Sequence, residues 1–434
     1  MLSSLLNPRP TSFRHVYAVS DVHTDYKQNL EWATSLCGHD DDVLLVAGDV
    51  SDDPTTFEAT MAAFASSFGA VFFVPGNHDC WTRRDSGLDS FEKLKQIRQI
   101  CGEHGVLTTP QTLTMRCGGA VSVLPLLSWY HTSFDTEPDV TQIKLPPAKA
   151  VVGDYRATRW PEPLRNGDES LAQFFDEMCD ELPGERAKEE AAGRDGVTPL
   201  LSYSDARANG ASVISFSHFV PSIELIPEKR YLTYPPLMSA VGSRFLEKRV
   251  EELAPDVHVF GHTHFGWDAT IQRNGRSTRY IQAALATPAE RSRRPRSLTV
   301  SYDLDIDQTT TPPKHIEPPK DALGDALPLE IWRAGANGNS GFCPPRRAAW
   351  SDHYNSRARE PSDVTPAPWV VDYYSRRAPQ RLQLDPNPDE SEKTEREKWA
   401  LLKRMRGWYG GPTPSKLKQH SKMSMRMKDN NSTK

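Results

Sequence analysis

Three short polar runs, one isolated histidine and a closing His-x-His concentrate the chemistry of this 434-residue chain: Asp21-x-His23, Gly48-Asp49, Gly76-Asn77-His78-Asp79, His218 and Gly261-His262-x-His264. Carboxylates and imidazoles are costly to bury without compensation, yet each group follows directly on an apolar run. One Asp-x-His is usually a polar turn, and a lone histidine such as His218 is more often a hydrogen-bonded core residue than a ligand. The ordered set reads differently. Its carboxylates, amide and imidazoles form a mixed nitrogen and oxygen donor group too rich for a single tetrahedral zinc, and suited to two divalent ions sharing a bridging carboxylate. With no cysteine among the candidates, a structural zinc site is not indicated.

The elements that must position these residues are five strand-like runs, at 16–20, 42–48, 70–76, 211–218 and 256–262, each short, rich in Val, Ile or Phe, and ended by a polar or glycine turn. Helix-compatible stretches at 26–36 and 55–68 alternate with the first three, an α/β pattern. Loops beyond the carboxyl ends of such strands gather in one crevice, so five strand ends can supply one site. Gly48, Gly76 and Gly261 are expected to let the backbone bend sharply there. Apolar runs at 120–130, 279–285 and 297–304 offer further strands. Residues 132–210 interrupt the rhythm and read as an inserted cap; within them Leu171, Phe174, Phe175, Met178 and Leu182 fall at helical spacing, and 184–196 reads as an exposed polar loop.

From 306 to 434 the text is rich in Pro and Arg and is expected to be a mostly flexible tail. It holds one candidate helix near 389–407, where Asp389 and Glu392 have capping-box spacing. Residues 401–434 carry nine Lys or Arg against Asp429, which suits contact with an acidic protein partner or an anionic surface.

Composition narrows the classes. A formal net charge of -5 gives no basic field for nucleic acid. Six scattered cysteines form no CxxC pair and fit a reducing compartment. No apolar run reaches the length of a membrane span, and the first residues make a poor signal peptide, so the cytoplasm is the expected location.

Taken in order, the five motifs resemble those of the calcineurin-like metallophosphoesterase superfamily, over roughly residues 14–305. The resemblance implies a four-layer αββα sandwich with paired mixed sheets. It implies one metal on Asp21, His23, Asp49 and His264, and a second on Asp49, Asn77, His218 and His262. Asp49 and a hydroxide would bridge the ions, which would be Mn, Fe, Zn or Mg, and the hydroxide would attack phosphorus in line. His78 would face the leaving group as general acid or transition-state stabiliser, with Asp52 in the position that orients this histidine in some branches. Arg83 and Arg84 are candidate phosphate donors, and Trp81, Trp129, Tyr130 and His131 a candidate stacking wall, although core packing suits at least Trp129 better.

Pro75 and the run Gly48-Asp49-Val50-Ser51-Asp52-Asp53 depart from the Ser/Thr protein phosphatases, and Asp52 from the tyrosine of purple acid phosphatases. The forms present look more like those of small-molecule, nucleotide and diester hydrolases. A non-catalytic protein-binding scaffold on the same fold is the alternative.

Overall fold

The computed structural model describes residues 10–293 and 328–376, apart from 85–86, 117, 142, 144–145, 336–339 and 347. Its strands are β1 (His15–Val19), β2 (His39–Ala47), β3 (Phe68–Val74), β4 (Gln111–Thr114), β5 (Ala120–Pro125), β6 (Val197–Pro199), β7 (Ser212–Phe216), β8 (Val257–Phe260), β9 (Trp267–Arg273), β10 (Arg276–Gln282), β11 (Leu329–Arg333) and β12 (Gly341–Phe342). They form a five-stranded sheet, β12-β11-β1-β2-β3, and a seven-stranded sheet, β6-β4-β5-β7-β8-β10-β9. In the first, β1, β2 and β3 run parallel and β11 lies antiparallel to β1. In the second, β5, β7, β8 and β10 are parallel neighbours.

Both sheets contribute to one core. Val43, Leu44, Leu45 and Val46 of β2, Val121 and Val123 of β5, and Val257 and Val259 of β8 share it. Four consecutive buried residues on β2 mean that both faces of the first sheet are covered, which is why its strands read as continuous apolar runs. Helices α1 (Lys27–Ser35), α2 (Pro54–Ser67) and α3 (Ser90–Glu103) lie together, with α2 against β2 and β3. On the second sheet, Leu253 of the helix Arg244–Leu253 packs beside Leu124 and Val213. The result is the expected mixed α/β sandwich of four layers.

Local chemistry explains where the helices begin. Asp53 accepts from the Thr56 N–H and caps α2, with Pro54 at its first position. Asp89 and Glu92 form a capping box on α3.

Two expectations change. The polar stretch at 184–196 contains the helix Glu185–Ala191, because Ala187 and Ala191 bury against the domain while Glu185, Lys188 and Glu189 face out, and Glu190 takes the N–H groups of Thr108 and Thr109. The domain does not end at 305. Strand β11 adds to the free edge of β1 and buries Ile331 and Trp332, and the segment after it returns to the second sheet, where Ser351 Oγ accepts from the Asp268 N–H at 2.8 Å. Five residues, "LEIWR", were too short a signal amid proline-rich text to be read as a strand. The candidate strand at 297–304 and the candidate helix at 389–407 lie outside the described residues.

Candidate metal centre

The two sheets are stitched together at the carboxyl ends of their strands. Ser20, just past β1, bridges to Ala284, just past β10, through the Ser20 N–H to Ala283 O at 3.0 Å and the Leu285 N–H to Ser20 O at 2.8 Å. Three loops of the first sheet and two of the second therefore open into one place. Asp21, His23, Asp49, His262 and His264 all have positive φ, between 46° and 74°. Non-glycine residues rarely adopt this conformation and it costs about 1–3 kcal/mol each. Their side chains are thereby turned inward on successive tight bends. At Gly48, φ is +81°, and a Cβ would meet His218 Nδ1 at 2.6 Å; at Gly76 it would collide with Asp49. These glycines are required by the close approach of the loops, and only Gly48 also by its own bend.

Two donor groups result, Asp21, His23, Asp49 and His264 in one and Asp49, His218 and His262 in the other, with the donor atoms of each within 4.8 Å of one another. Asn77 completes the second. Its Oδ1 lies 3.0 Å from His218 Nε2 and 3.0 Å from His262 Nδ1. The remaining nitrogens of those imidazoles face the Ala47 and Ala240 carbonyls, each at 2.9 Å. A carbonyl only accepts, so those nitrogens carry the protons and the inward ones carry lone pairs. The Asn77 amino group donates to Asp154 Oδ1 at 2.8 Å, which fixes the amide the same way. Three lone pairs thus converge with no proton between them, an arrangement that calls for a cation.

The first group is packed as closely. His23 Nε2 and His264 Nε2 are 3.1 Å apart, and His264 Nε2 is 3.2 Å from Asp21 Oδ1. Burial pushes His23 and His262 down to about 3 and lowers His218, so all three are neutral imidazoles at ordinary pH. Burial, with Asp79 and Asp21 nearby, raises the Asp49 carboxyl well above its usual range. His264 rises to about 10: burial opposes the charge, but Asp21 and Glu290 outweigh it.

A model of the calcineurin-like phosphoesterase family matches residues 14–266. The chain belongs to this family. It is also similar to the [acyl-carrier-protein] phosphodiesterase PptH of Mycobacterium tuberculosis (strain ATCC 25618 / H37Rv), 32% identical over 124 residues that make up 27% of this chain and 38% of that protein. The match thus spans well under half of that relative's length. Among solved structures it resembles the crystal structure of phosphopantetheinyl hydrolase (PptH) from Mycobacterium tuberculosis, with a TM-score of 0.47 and 22% identity over 66% of this chain and 94% of that one.

Around this calcineurin-like centre the remaining sequence candidates separate. The His78 N–H donates to Asp49 Oδ1 at 2.8 Å, and its ring, partly open to solvent, stacks on Trp81 with centroids 3.7 Å apart. Asp52 is not placed on His78. Its carboxylate is taken by Arg83 Nε and, at 2.9 Å, by Arg84 Nε, while Lys93 Nζ donates to its backbone carbonyl. Arg83 and Arg84 are half exposed, with Arg83 lying over the Trp81 ring at 4.5 Å. Trp129, Tyr130 and His131 are buried: Trp129 packs on Trp160, Phe175 and Phe219, and His131 Nε2 accepts the Arg244 N–H, so they form no open wall.

Three supporting residues were not singled out for their roles. Glu290 Oε2 lies 2.8 Å from His264 Nδ1 and so presents Nε2 inward. Asp79 is fully buried and accepts the N–H groups of Asp49, Val50, Ser51 and Gly76, which ties the second and third loops together. Asp154 holds Asn77. Only Asp79, inside the Gly-Asn-His-Asp run, gave a local signal; the other two lie outside every motif.

Proposed function

We propose that the chain is a phosphodiesterase that holds two divalent ions on Asp21, His23, Asp49, Asn77, His218, His262 and His264. The reading rests on one observation above all: two donor groups share the single carboxylate of Asp49, and beside it in the second the inward atoms of Asn77, His218 and His262 are all lone pairs. Ions bound there would neutralise phosphoryl oxygens and lower the pKa of a coordinated water, which is the chemistry that phosphate-ester hydrolysis needs.

The protein's own groups do the rest. Asp49 is held in its shared orientation by the His78 N–H, so neither donor group can move without the other. The His78 ring, on its Trp81 platform, would protonate or hydrogen-bond the leaving oxygen. Arg83 and Arg84 would place positive charge at the rim while remaining paired with Asp52, and so would orient a substrate anion rather than bind it bidentately. Asp52 thus acts on the arginines. No covalent nucleophile is needed.

The phosphodiesterase activity for which the mycobacterial relative is named supports a diester over a monoester and makes an acyl-carrier protein the first substrate to try. The test has two arms. Metal analysis of chain loaded in turn with Mn, Fe, Zn or Mg should give close to two ions per chain, and the loaded protein should turn over a diester from a panel of carrier-protein, nucleotide and aryl esters. One ion per chain at saturation refutes the dinuclear site. Two ions with monoester turnover alone refutes the diester assignment.

A further inference from the structure

The inserted segment reaches the metal centre through one carboxylate. Asp154 opens the short helix Asp154–Ala157, well outside the five motifs, and is 1% exposed. A single oxygen, Oδ1, accepts both the Asn77 Nδ2–H at 2.8 Å and the Trp81 Nε1–H at 2.7 Å. The first bond decides which end of the Asn77 amide faces His218 and His262; an amide turned over would point N–H groups at two imidazole lone pairs and at any cation between them. The second bond pins the indole on which His78 stacks. The carboxylate is itself held in place. Its backbone carbonyl accepts from Asn166 Nδ2 at 3.0 Å and from Thr158 Oγ1 at 2.8 Å, and Gly153 lies so close to the Trp81 ring that a Cβ there would sit 3.1 Å from Cζ2.

The geometry points to Asp154 as a positioning residue that makes docking of the insertion a condition for a complete metal centre, acting on ligand binding through Asn77 and on turnover through Trp81. This rests on the dinuclear reading above. Loss of such an outer partner costs about 10- to 100-fold in metal affinity or activity.

Four variants of the full chain separate the possibilities, each checked by thermal melting and titrated with Mn2+ alone by calorimetry. Asp154→Ala is expected to weaken binding of one of two ions by about 10- to 100-fold and to lower kcat more than it raises KM. Asp154→Asn keeps an acceptor oxygen for both N–H groups and should restore most of the ion binding, which a merely structural role would not require. Trp81→Phe keeps the stack but removes the N–H donor, so it should bind both ions normally and lower kcat. Asn77→Ala is the reference and should lose the same ion as Asp154→Ala. If Asn77→Ala loses that ion while Asp154→Ala binds both as the parent does, the positioning role is wrong and the dinuclear reading stands. A parent chain that binds only one ion refutes the dinuclear reading first; Asn77→Ala binding both ions unchanged instead removes Asn77 from the ligand set and, with it, the route from Asp154 to the metal centre. Equal loss in the Ala and Asn variants of Asp154 with a melt unchanged from the parent would also overturn the role of the acceptor oxygen.

Discussion

The backbone N–H of His78 donates to Asp49 Oδ1 at 2.8 Å, so the residue proposed to face the leaving group also fixes the carboxylate common to both donor groups. The donor is main-chain, so the bond survives substitution of the His78 ring, and an amide at position 49 keeps an acceptor oxygen for it. The two residues can therefore be tested separately. Asp49→Asn keeps the shape but removes the negative charge. It is expected to remove most activity and to lower metal content toward zero or one ion per chain, read by elemental analysis, because a neutral amide cannot bridge two cations as a carboxylate does. Near-normal turnover with two ions bound would be incompatible with Asp49 as the bridge.

His78→Ala leaves that main-chain bond and all seven proposed ligands in place. Turnover should fall by about 10²- to 10⁴-fold, the usual range for a lost general acid or base, with metal content close to the parent's. The fall should shrink for esters with acidic leaving groups, which depart without a proton. Metal loss on this substitution would instead make His78 a ligand.

Glu290 orients His264, and its removal tests the first donor group. Glu290→Ala frees the His264 ring to turn and should weaken metal binding by about 10- to 100-fold, measured by competition with a chromophoric chelator. Glu290→Gln can still accept the Nδ1 proton and should lose less. Equal loss in the two variants would mean that the negative charge, and not the orientation, is what matters.

What was legible in the sequence was local. Each donor lies within four residues of a glycine turn or a strand end, so strand-like runs and short spacings gathered Asp21, His23, Asp49, Asn77, His78, His218, His262 and His264 as candidates, and the family resemblance set His78 apart from the other seven. The parts that escaped depend on contacts across the fold. Asp154 and Asn77 lie 77 residues apart and are brought together by packing across the fold, and no periodicity marks such a pair. The positive φ at Asp21, Asp49 and His264 is imposed by neighbouring loops, since none of these residue types demands it. Strand β11 was hidden because its five residues derive their stability from the β1 edge they cover, not from intrinsic propensity.

That strand makes truncation informative. Ending the chain at 376 keeps β11, β12 and the helices after them, and should leave a folded protein with the parent's melting temperature and metal content. Ending it at 327 uncovers the edge of β1 and strips Ile331 and Trp332 from the core. At about 1.5–3 kcal/mol for each fully buried side chain, this is a large share of a typical domain's stability, and the shorter chain should aggregate or melt far lower. Comparable melts for the two truncations would mean that β11 is dispensable.

His258 gives the fold a pH dependence separate from the donor set. It is fully buried on β8 between Ser215 Oγ, 2.8 Å from Nδ1, and Ser217 Oγ, 3.0 Å from Nε2, and burial pushes its pKa down from 6.5 to about 3. In the folded chain the ring stays neutral down to that value, whereas in the unfolded chain it gains a proton near 6.5. Above 6.5 neither state binds the proton and this residue adds no slope. Between 6.5 and about 3 the unfolded state binds more protons, so stability falls as the pH falls, by about 1.4 kcal/mol per unit for one such group. His258→Gln retains hydrogen bonding to the serines but cannot titrate. Chemical denaturation at stepped pH from 7.5 to 4.5 should therefore give the variant a shallower loss of stability below 6.5, by up to that amount per unit, whatever its stability at pH 7.5. Parallel curves for parent and variant would mean that the ring is protonated in the folded chain, and that its two serines both accept from it.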